Sequence, residues 1–289
     1  MTLTDMESIV ESLWSERQSV ITNPPDHAQQ ALTKIFDDLD CGRLRVVERR
    51  NGKWHAHEWL MKAILLNTRL AKKRPFSCGP GGGIGWYDKV PPKFEGWSEQ
   101  DFAAADFRVV PPTMVRRSAY IAPGAILMPC FVGMGAHVGE NTLIDIWVNI
   151  GSCAYVGKNC HIAGGVGLGG VLEPMHPKPV IIEDNCFIGA DCQIMEGVIV
   201  EEGAVLSMGV FLGASTPIVD RATGEVHFGV VPRHSVVIPG CLPGKALPDG
   251  RPGPFTYCAV IVKQVDESTR KRTSLTDLLR DAAVEALSH

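Results

Sequence analysis

Asp145 places a carboxylate directly after Ile144, where the surrounding chain repeatedly sets glycine or another small residue, and Trp147 follows two positions on. Departures of this kind from a local pattern concentrate at functional sites. A carboxylate there can work as a general base, or it can close a turn through a backbone hydrogen bond. Glu196, in QIMEGVIVEEG, is a second acidic candidate, either orienting a ligand or facing solvent. Gln193, three residues before it, cannot act as a base. His137, His161 and His176 fall in the same stretch. Imidazole is the other natural base near neutrality, although a satisfied structural histidine is the commoner case.

Several other chemistries fail on spacing. The nine cysteines include no C-x-x-C pair, and reduced, buried thiols are expected of them. CGPGGGIG, from Cys78 to Gly85, lacks the Lys-Ser/Thr that ends a phosphate-binding loop. GVGLGG, from Gly165 to Gly170, mimics a dinucleotide fingerprint only faintly, and the repeat described next already accounts for its glycines. Lys plus Arg total 28 against 32 Asp plus Glu, a net charge of −4, which gives no footprint for nucleic acid or an anionic membrane. The opening MTLTDMESIVESLW carries acids where a secretory leader carries bases. No run approaches the ~18–20 apolar residues of a membrane span, so a cytoplasmic protein is expected.

The elements that must position these residues are written in a repeat of six. Val132, Val138, Ile144, Ile150, Val156, Ile162 and Leu168 follow one another at that step, and Ile182, Ile188, Ile194, Val200, Leu206 and Leu212 resume it. Such an aliphatic run arises by chance on the order of once in a hundred million trials. Glycine follows the aliphatic residue at 133, 139, 151, 157, 169, 189 and 213. Small or β-branched residues stand four after it, as at Ala136, Thr142, Ala154, Cys160 and Val198. A period of six fits neither a helix nor an alternating hairpin. It fits short strands joined by tight corners and stacked ~4.8 Å apart in a coiled parallel sheet.

Ile182 stands 14 positions after Leu168 where two repeats would place it 12 after, and GGVLEPMHPKPVI between them holds three prolines. It reads as a loop, about 169–181, thrown out of one coil and projecting toward a neighbouring subunit. Upstream, residues 5–20 and 27–39 read as amphipathic helices, LRVVERRNGKWHAH as a hairpin turning at Asn51-Gly52, and EWLMKAILLNTRLAKK as a helix. Downstream, RATGEVHFGVV reads as a hairpin, a proline-rich crossing follows, and then come the strand TYCAVIVKQV and a helix capped at Ser274. Three units result: an α-rich N-terminal domain with linker (1–107), a coiled prism (108–216) and a C-terminal strand and helix extension (217–289).

The hexad resembles the hexapeptide-repeat acyltransferases, mainly-β proteins built on a left-handed parallel β-helix with three hexads to a coil. Thirteen to fifteen hexads then make four to five coils. DKVPPKF, FRVVPP, LIDIWVNIGSCA, IIEDNCFIGA, VEEGAVLSMGVFLG, GEVHFG and YCAVIVK together resemble tetrahydrodipicolinate N-succinyltransferases, over nearly the whole chain. That resemblance implies succinyl transfer from succinyl-CoA, as co-substrate, to the nitrogen of a cyclic imine dicarboxylate in the diaminopimelate route to lysine. It also implies a homotrimer with active sites between β-helices, small-molecule substrates and no required metal. Asp145 then matches the family's acceptor-contacting aspartate and is a candidate base. Arg108 of FRVVPP matches its substrate-binding arginine, a guanidinium suited to pairing a carboxylate through two parallel bonds. Arg116 or Arg117 would face the second carboxylate, and Glu196 would be a further catalytic candidate. Backbone amides around Ser207 to Gly209 would bind the pantetheine arm as an added strand. Lys245, Lys263, Arg270, Lys271 and Arg272 are the cations available to its phosphates.

Two rivals share the prism. A hexapeptide-repeat acetyltransferase acting on another amine or sugar acceptor would make His161 the base. A metal lyase would need a close H-x-x-x-x-H pair, which His137, His161 and His176 do not form.

Overall fold

The computed structural model describes residues 2–22, 24–77 and 84–265. Its centre is a three-sided left-handed parallel β-helix. Two-residue strands such as His137–Val138, Leu143–Ile144 and Asn149–Ile150 each begin a side. Each pairs with the strand eighteen residues on: His137 with Tyr155, Leu143 with His161, Asn149 with Gly167. The three sides are sheets of six, six and ten strands, parallel within the prism, the last extended by C-terminal segments that include antiparallel pairs. They are called here the Tyr155 side, the Gly167 side and the His161 side.

All the aliphatic hexad positions from Val132 to Leu212 point inward and are at most 2% exposed. The small residues four positions later complete the same core. Thr142 is admitted because its hydroxyl donates to the Gly157 carbonyl at 2.8 Å and accepts from Cys160 N at 3.0 Å. Where glycine follows the aliphatic residue, it answers to packing between coils. A Cβ on Gly151 would lie 2.3 Å from Gly170 N and 2.5 Å from Gly169 C. The turn of the corner falls two residues later, in left-handed backbone that Asn141, Asn159, Asn185 and Asp191 occupy with φ of 54–60°. These short polar residues tolerate that region better than most.

The structure departs from the hexad count at the loop. Tyr155 pairs with Ile181, 26 residues on, so Leu168 and Ile182 sit on adjacent sides of one corner. Eight residues are therefore inserted at a single corner, not two beyond a pair of hexads. A second insertion brings Val230 against Ile199, and Val236 then pairs with Val205. With Arg108–Val109 as its first strand, the prism runs past residue 216 and makes six coils, more than the four to five expected.

The loop is rooted in its own chain, while residues 173–178 beyond the root are exposed. Val171 and Leu172, at its root, are 3% and 7% exposed and sit in the core of this chain's own N-terminal domain. That core is built by α1 (Leu3–Ser15), α3 (Asp26–Asp40) and α4 (Glu58–Leu70), with α2 (Arg17–Thr22) between the first two. Thr2 and Asp5 cap α1 reciprocally. The hairpin Val47–Arg50 and Lys53–Ala56 turns at Asn51-Gly52 as expected. The strands Arg74–Ser77 and Ile84–Asp88 pair antiparallel, so the Cys78 to Gly85 connector, whose residues 78–83 lie outside the described set, links a hairpin. Helix α5 (Glu99–Ala105) leads into the prism.

After the hairpin Ile218–Asp220 and Val226–His227, the expected proline-rich crossing is instead the strand Ser235–Gly244, paired antiparallel with Gly253–Gln264. Pro239 and Pro243 are accommodated because only Val236 and Val237 of that strand also pair with the prism. The Ser274 helix lies outside the described residues.

Candidate active site

Asp145 stands at the corner between the His161 and Gly167 sides, in the third coil. Its Oδ1 accepts from Ile146 N at 2.7 Å, the turn bond that a corner aspartate makes. Its Oδ2 faces His161 Nε2 at 3.8 Å. The two meet because Leu143 and His161 are stacked partners in consecutive coils. The imidazole is held edge-on against Phe187, with ring centroids 5.2 Å apart, and Nε2 is a buried atom without a hydrogen-bond partner. The two base candidates are thus one pair. Stacking the sequence at eighteen residues would have revealed it.

Beside them Trp147 is 72% exposed and takes a φ of 59°, a costly conformation for a bulky residue. Strained backbone of this kind gathers at functional sites.

Arg108 opens the same sheet. Its strand pairs with Ile126–Leu127, which pairs with Leu143–Ile144, so it stands two strand spacings, ~10 Å, from the Asp145 coil. Its side chain is exposed and has no partner among the described residues. Ser207 and Gly209 occupy the corner equivalent to Asp145 three coils further on. Lys263 lies beyond, on the strand Gly253–Gln264 and in register with Val236. Arg108, Asp145 with His161, Ser207 and Lys263 therefore follow one another along one side of the prism.

Other candidates are placed differently. Arg116 is engaged within the chain, its guanidinium 2.6 Å from Asp88 Oδ2. Burial works against the Asp88 carboxylate, but the Lys89 amide and the Arg116 charge together hold its pKa below the usual value. Arg117 likewise reaches Asp37 at 2.5 Å. The Ser207 and Gly209 amides donate to Val237 O and Ala190 O, at 2.8 and 2.9 Å, and so are already used inside the prism. An added strand cannot be recruited by those two groups. The Cβ position of Gly209 does face open space. Lys245 is exposed near the end of the Ser235–Gly244 strand, and Arg270, Lys271 and Arg272 lie outside the described residues.

Glu196 sits on a different corner, between the Gly167 and Tyr155 sides, with a φ of 54°. Its Oε2 accepts from Ala214 N at 2.9 Å. It lines a cavity of about 480 Å³ with Trp54, His55, His176, Lys178 and Phe228. Composition and spacing gave no sign that the N-terminal hairpin reaches this corner. Gln193 is occupied with Gly165 O at 3.3 Å. Within one chain Asp145 and Glu196 do not meet.

His137 is no base: burial, aided by the nearby Arg45 charge, pushes its pKa down to about 3. Burial likewise raises the Cys130 thiol to about 12 and the Cys192 thiol to about 11, which leaves both inert. No cluster of three or more His, Cys, Asp or Glu that could hold a metal occurs among the described residues.

Comparison with known proteins bears on the whole chain. Residues 5–70 match the family model for the tetrahydrodipicolinate N-succinyltransferase N-terminal region. Residues 135–170 match that for the bacterial transferase hexapeptide and residues 179–214 that for the hexapeptide repeat of succinyl-transferase. A protein of Parvibaculum lavamentivorans named 2,3,4,5-tetrahydropyridine-2,6-dicarboxylate N-succinyltransferase is 56% identical over 97% of this chain and 100% of its own length. One of the same name from Methylobacterium sp. (strain 4-46) is also 56% identical, over 97% of this chain and all of its own. The chain belongs to the tetrahydrodipicolinate N-succinyltransferase family. As a member of that family it carries both hexapeptide models interrupted between residues 170 and 179, where the structure inserts the loop.

Proposed function

We propose that the chain transfers the succinyl group of succinyl-CoA to the nitrogen of tetrahydrodipicolinate. The products are N-succinyl-2-amino-6-oxopimelate and CoA, in the diaminopimelate route to lysine. The observation that carries the reading is the line formed by Arg108, the Asp145–His161 pair, Ser207 and Lys263 along one side of the prism. An acceptor carboxylate pairs with the free Arg108 guanidinium, which leaves the acceptor nitrogen toward Asp145. The CoA arm runs from there toward the later coils, with its phosphates near the C-terminal cations. Water adds across the C=N bond of the acceptor and the ring opens. The amine then attacks the thioester carbonyl, the C–N bond forms and the C–S bond breaks. Asp145, paired with His161, accepts the amine proton, and the CoA thiolate leaves and takes up a proton. None of these steps calls for a metal.

The active form in this proposal is a homotrimer. Ile146, Trp147 and Met208 on the Asp145 edge, and Phe131 and Phe211 on the Gly167 side, are large apolar side chains 38–72% exposed. If the Gly167 sides of three prisms face a common axis, the Asp145 edge of each meets the Glu196 edge of the next. The groove between them then gathers both acids. No helix among the described residues is long and apolar enough to cross a membrane, and we place the reaction in the cytoplasm.

The test is CoA release with tetrahydrodipicolinate and a panel of acyl-CoAs. Preference for succinyl-CoA is expected, whereas equal or better turnover of acetyl-CoA would favour a general hexapeptide acetyltransferase. Sedimentation at assay concentration should give a trimer, and a fully active monomer would overturn the shared groove.

A further inference from the structure

The insertion at the Leu168–Ile182 corner ends against Gly197, the residue after Glu196. A Cβ on Gly197, which has a φ of 73°, would lie 2.5 Å from Lys178 Cβ and 2.6 Å from Lys178 O. The loop's last residues are therefore seated on the corner that carries the acid, and only glycine at 197 lets them approach so closely. The root of the loop is fixed as well, through Val171 and Leu172 in the N-terminal core. Between these two anchors, His176 N donates to Val171 O at 2.9 Å, and Lys178 N donates to His176 Nδ1 at 3.2 Å. The same Nδ1 lies 3.4 Å from Lys178 O, so the ring is held against the Lys178 backbone.

This architecture surrounds the Glu196 cavity with donors. Lys178 and His176 come from the loop and His55 from the N-terminal hairpin, and all three line the same cavity of about 480 Å³. The Lys178 ammonium has no ion-pair partner among the described residues. Glu196 is meanwhile held by the Ala214 amide and forms no ion pair with Lys178. The apolar part of the wall is supplied by Trp54 and Phe228. A short carbon chain ending in a carboxylate matches such a cavity: its methylenes meet the rings and its charge meets Lys178.

We propose that Lys178, assisted by His176, is a specificity-determining residue that binds a substrate carboxylate in the Glu196 cavity. The inference rests on the succinyl-transfer reading, in which the acceptor and the succinyl group both bring carboxylates. The ammonium is a compact point charge that suits a single carboxylate, whereas the Arg108 fork on the other edge suits bidentate pairing.

The experiment compares wild type, Lys178→Met, Lys178→Arg and, as a control, Lys53→Met, whose exposed side chain does not line the cavity. One arm measures KM for tetrahydrodipicolinate. The other measures the ratio of kcat/KM for succinyl-CoA to that for butyryl-CoA, which has the same chain length and no carboxylate. In Lys178→Met one of the two should worsen by about ten- to a hundredfold with kcat nearly unchanged, as expected for a lost charge-assisted hydrogen bond. The arm that moves identifies whose carboxylate is bound. Lys178→Arg should retain most of the lost discrimination. Both arms within twofold of the control would overturn the proposal. Calorimetric titration with pimelate and with succinyl-CoA reads the same loss without turnover. An inactive wild type would therefore count against succinyl transfer, and equal binding by wild type and Lys178→Met against the role of Lys178.

Discussion

The Trp54 indole Nε1 donates to Glu183 Oε1 at 2.7 Å, joining the N-terminal hairpin to the prism. Glu183 is 6% exposed and survives burial because it also accepts from Glu202 N at 2.9 Å and has Arg49 3.5 Å away. The Trp54 ring packs on Tyr155, 4.9 Å between centroids, so one residue supplies both the polar and the apolar part of the joint. Trp54→Phe keeps most of the apolar contact and removes the donor. It should lower stability by about 1–3 kcal/mol, since the bond is to a charged acceptor. Denaturant unfolding checks this, and an unchanged midpoint would show that the joint rests on packing alone.

Coil stacking sets a sharper limit at glycine. Gly151→Ala should be severely destabilising, because its Cβ would meet the backbone of residues 169 and 170 at 2.3–2.5 Å, where nothing flexible can give way. Gly250→Ala offers the comparison: its φ of 83° strains any side chain, but no atom lies within 4 Å. That strain costs only about 1–2 kcal/mol. Soluble yield and thermal midpoint should rank wild type above Gly250→Ala and both far above Gly151→Ala.

His137 confers a pH dependence of definite sign. Its ring lies between Tyr120, 5.0 Å away, and Tyr155, stacked at 4.7 Å, and its pKa falls from 6.5 to about 3 on burial. Between those values the unfolded chain binds a proton that the folded chain refuses. Its contribution is therefore complete above pH 6.5 and is lost as pH falls toward 3, by about 1.4 kcal/mol per unit. His137→Phe preserves the stack and removes the titration. Its denaturation midpoint should change less between pH 7 and pH 5 than that of wild type, whereas parallel profiles would assign the dependence to other groups.

Periodicity carried far in this chain because every inward position repeats one physical demand. Val132 to Leu212 all face a core of constant width, so the fold could be read from aliphatic residues alone. Corners were harder. The glycine at 151 reports the coil above it, while the left-handed turn is written in Asn141, Asn159 and Asn185, whose type also suits solvent. The hexad count misplaces the loop because a step of 14 nearly matches two hexads, and only the pairing of Tyr155 with Ile181 shows that one corner is spanned. The destination of its root was hidden, since Val171 and Leu172 look the same in either direction. Arg116 illustrates the same limit at the site: a guanidinium near Asp88 in space carries no mark of it in sequence.

Arg108 differs from Arg116 in having no partner among the described residues, and the difference is measurable. Arg108→Lys keeps a charge and loses the planar fork, so KM for the acceptor should rise more than KM for succinyl-CoA, with kcat little altered. Arg116→Lys should instead act mainly on stability, through its contact with Asp88. Equal rises in both KM values for Arg108→Lys would remove it from the acceptor site.

Asp145 and His161 must be tested as a pair, because 3.8 Å separates Oδ2 from Nε2 and each is a plausible base on its own. Asp145→Asn is nearly isosteric and keeps the oxygen that accepts from Ile146 N, so the corner survives. If the carboxylate takes the amine proton, kcat should fall on the order of 10²–10⁴-fold. His161→Asn should then cost roughly tenfold, as the loss of an orienting group, and the double variant should be no slower than Asp145→Asn, since groups acting as a unit do not add. The reverse order, with His161→Asn the slower enzyme and Asp145→Asn near wild type as an intact trimer, would move the proton to the imidazole. In that case the aspartate would be left with the turn bond it already makes.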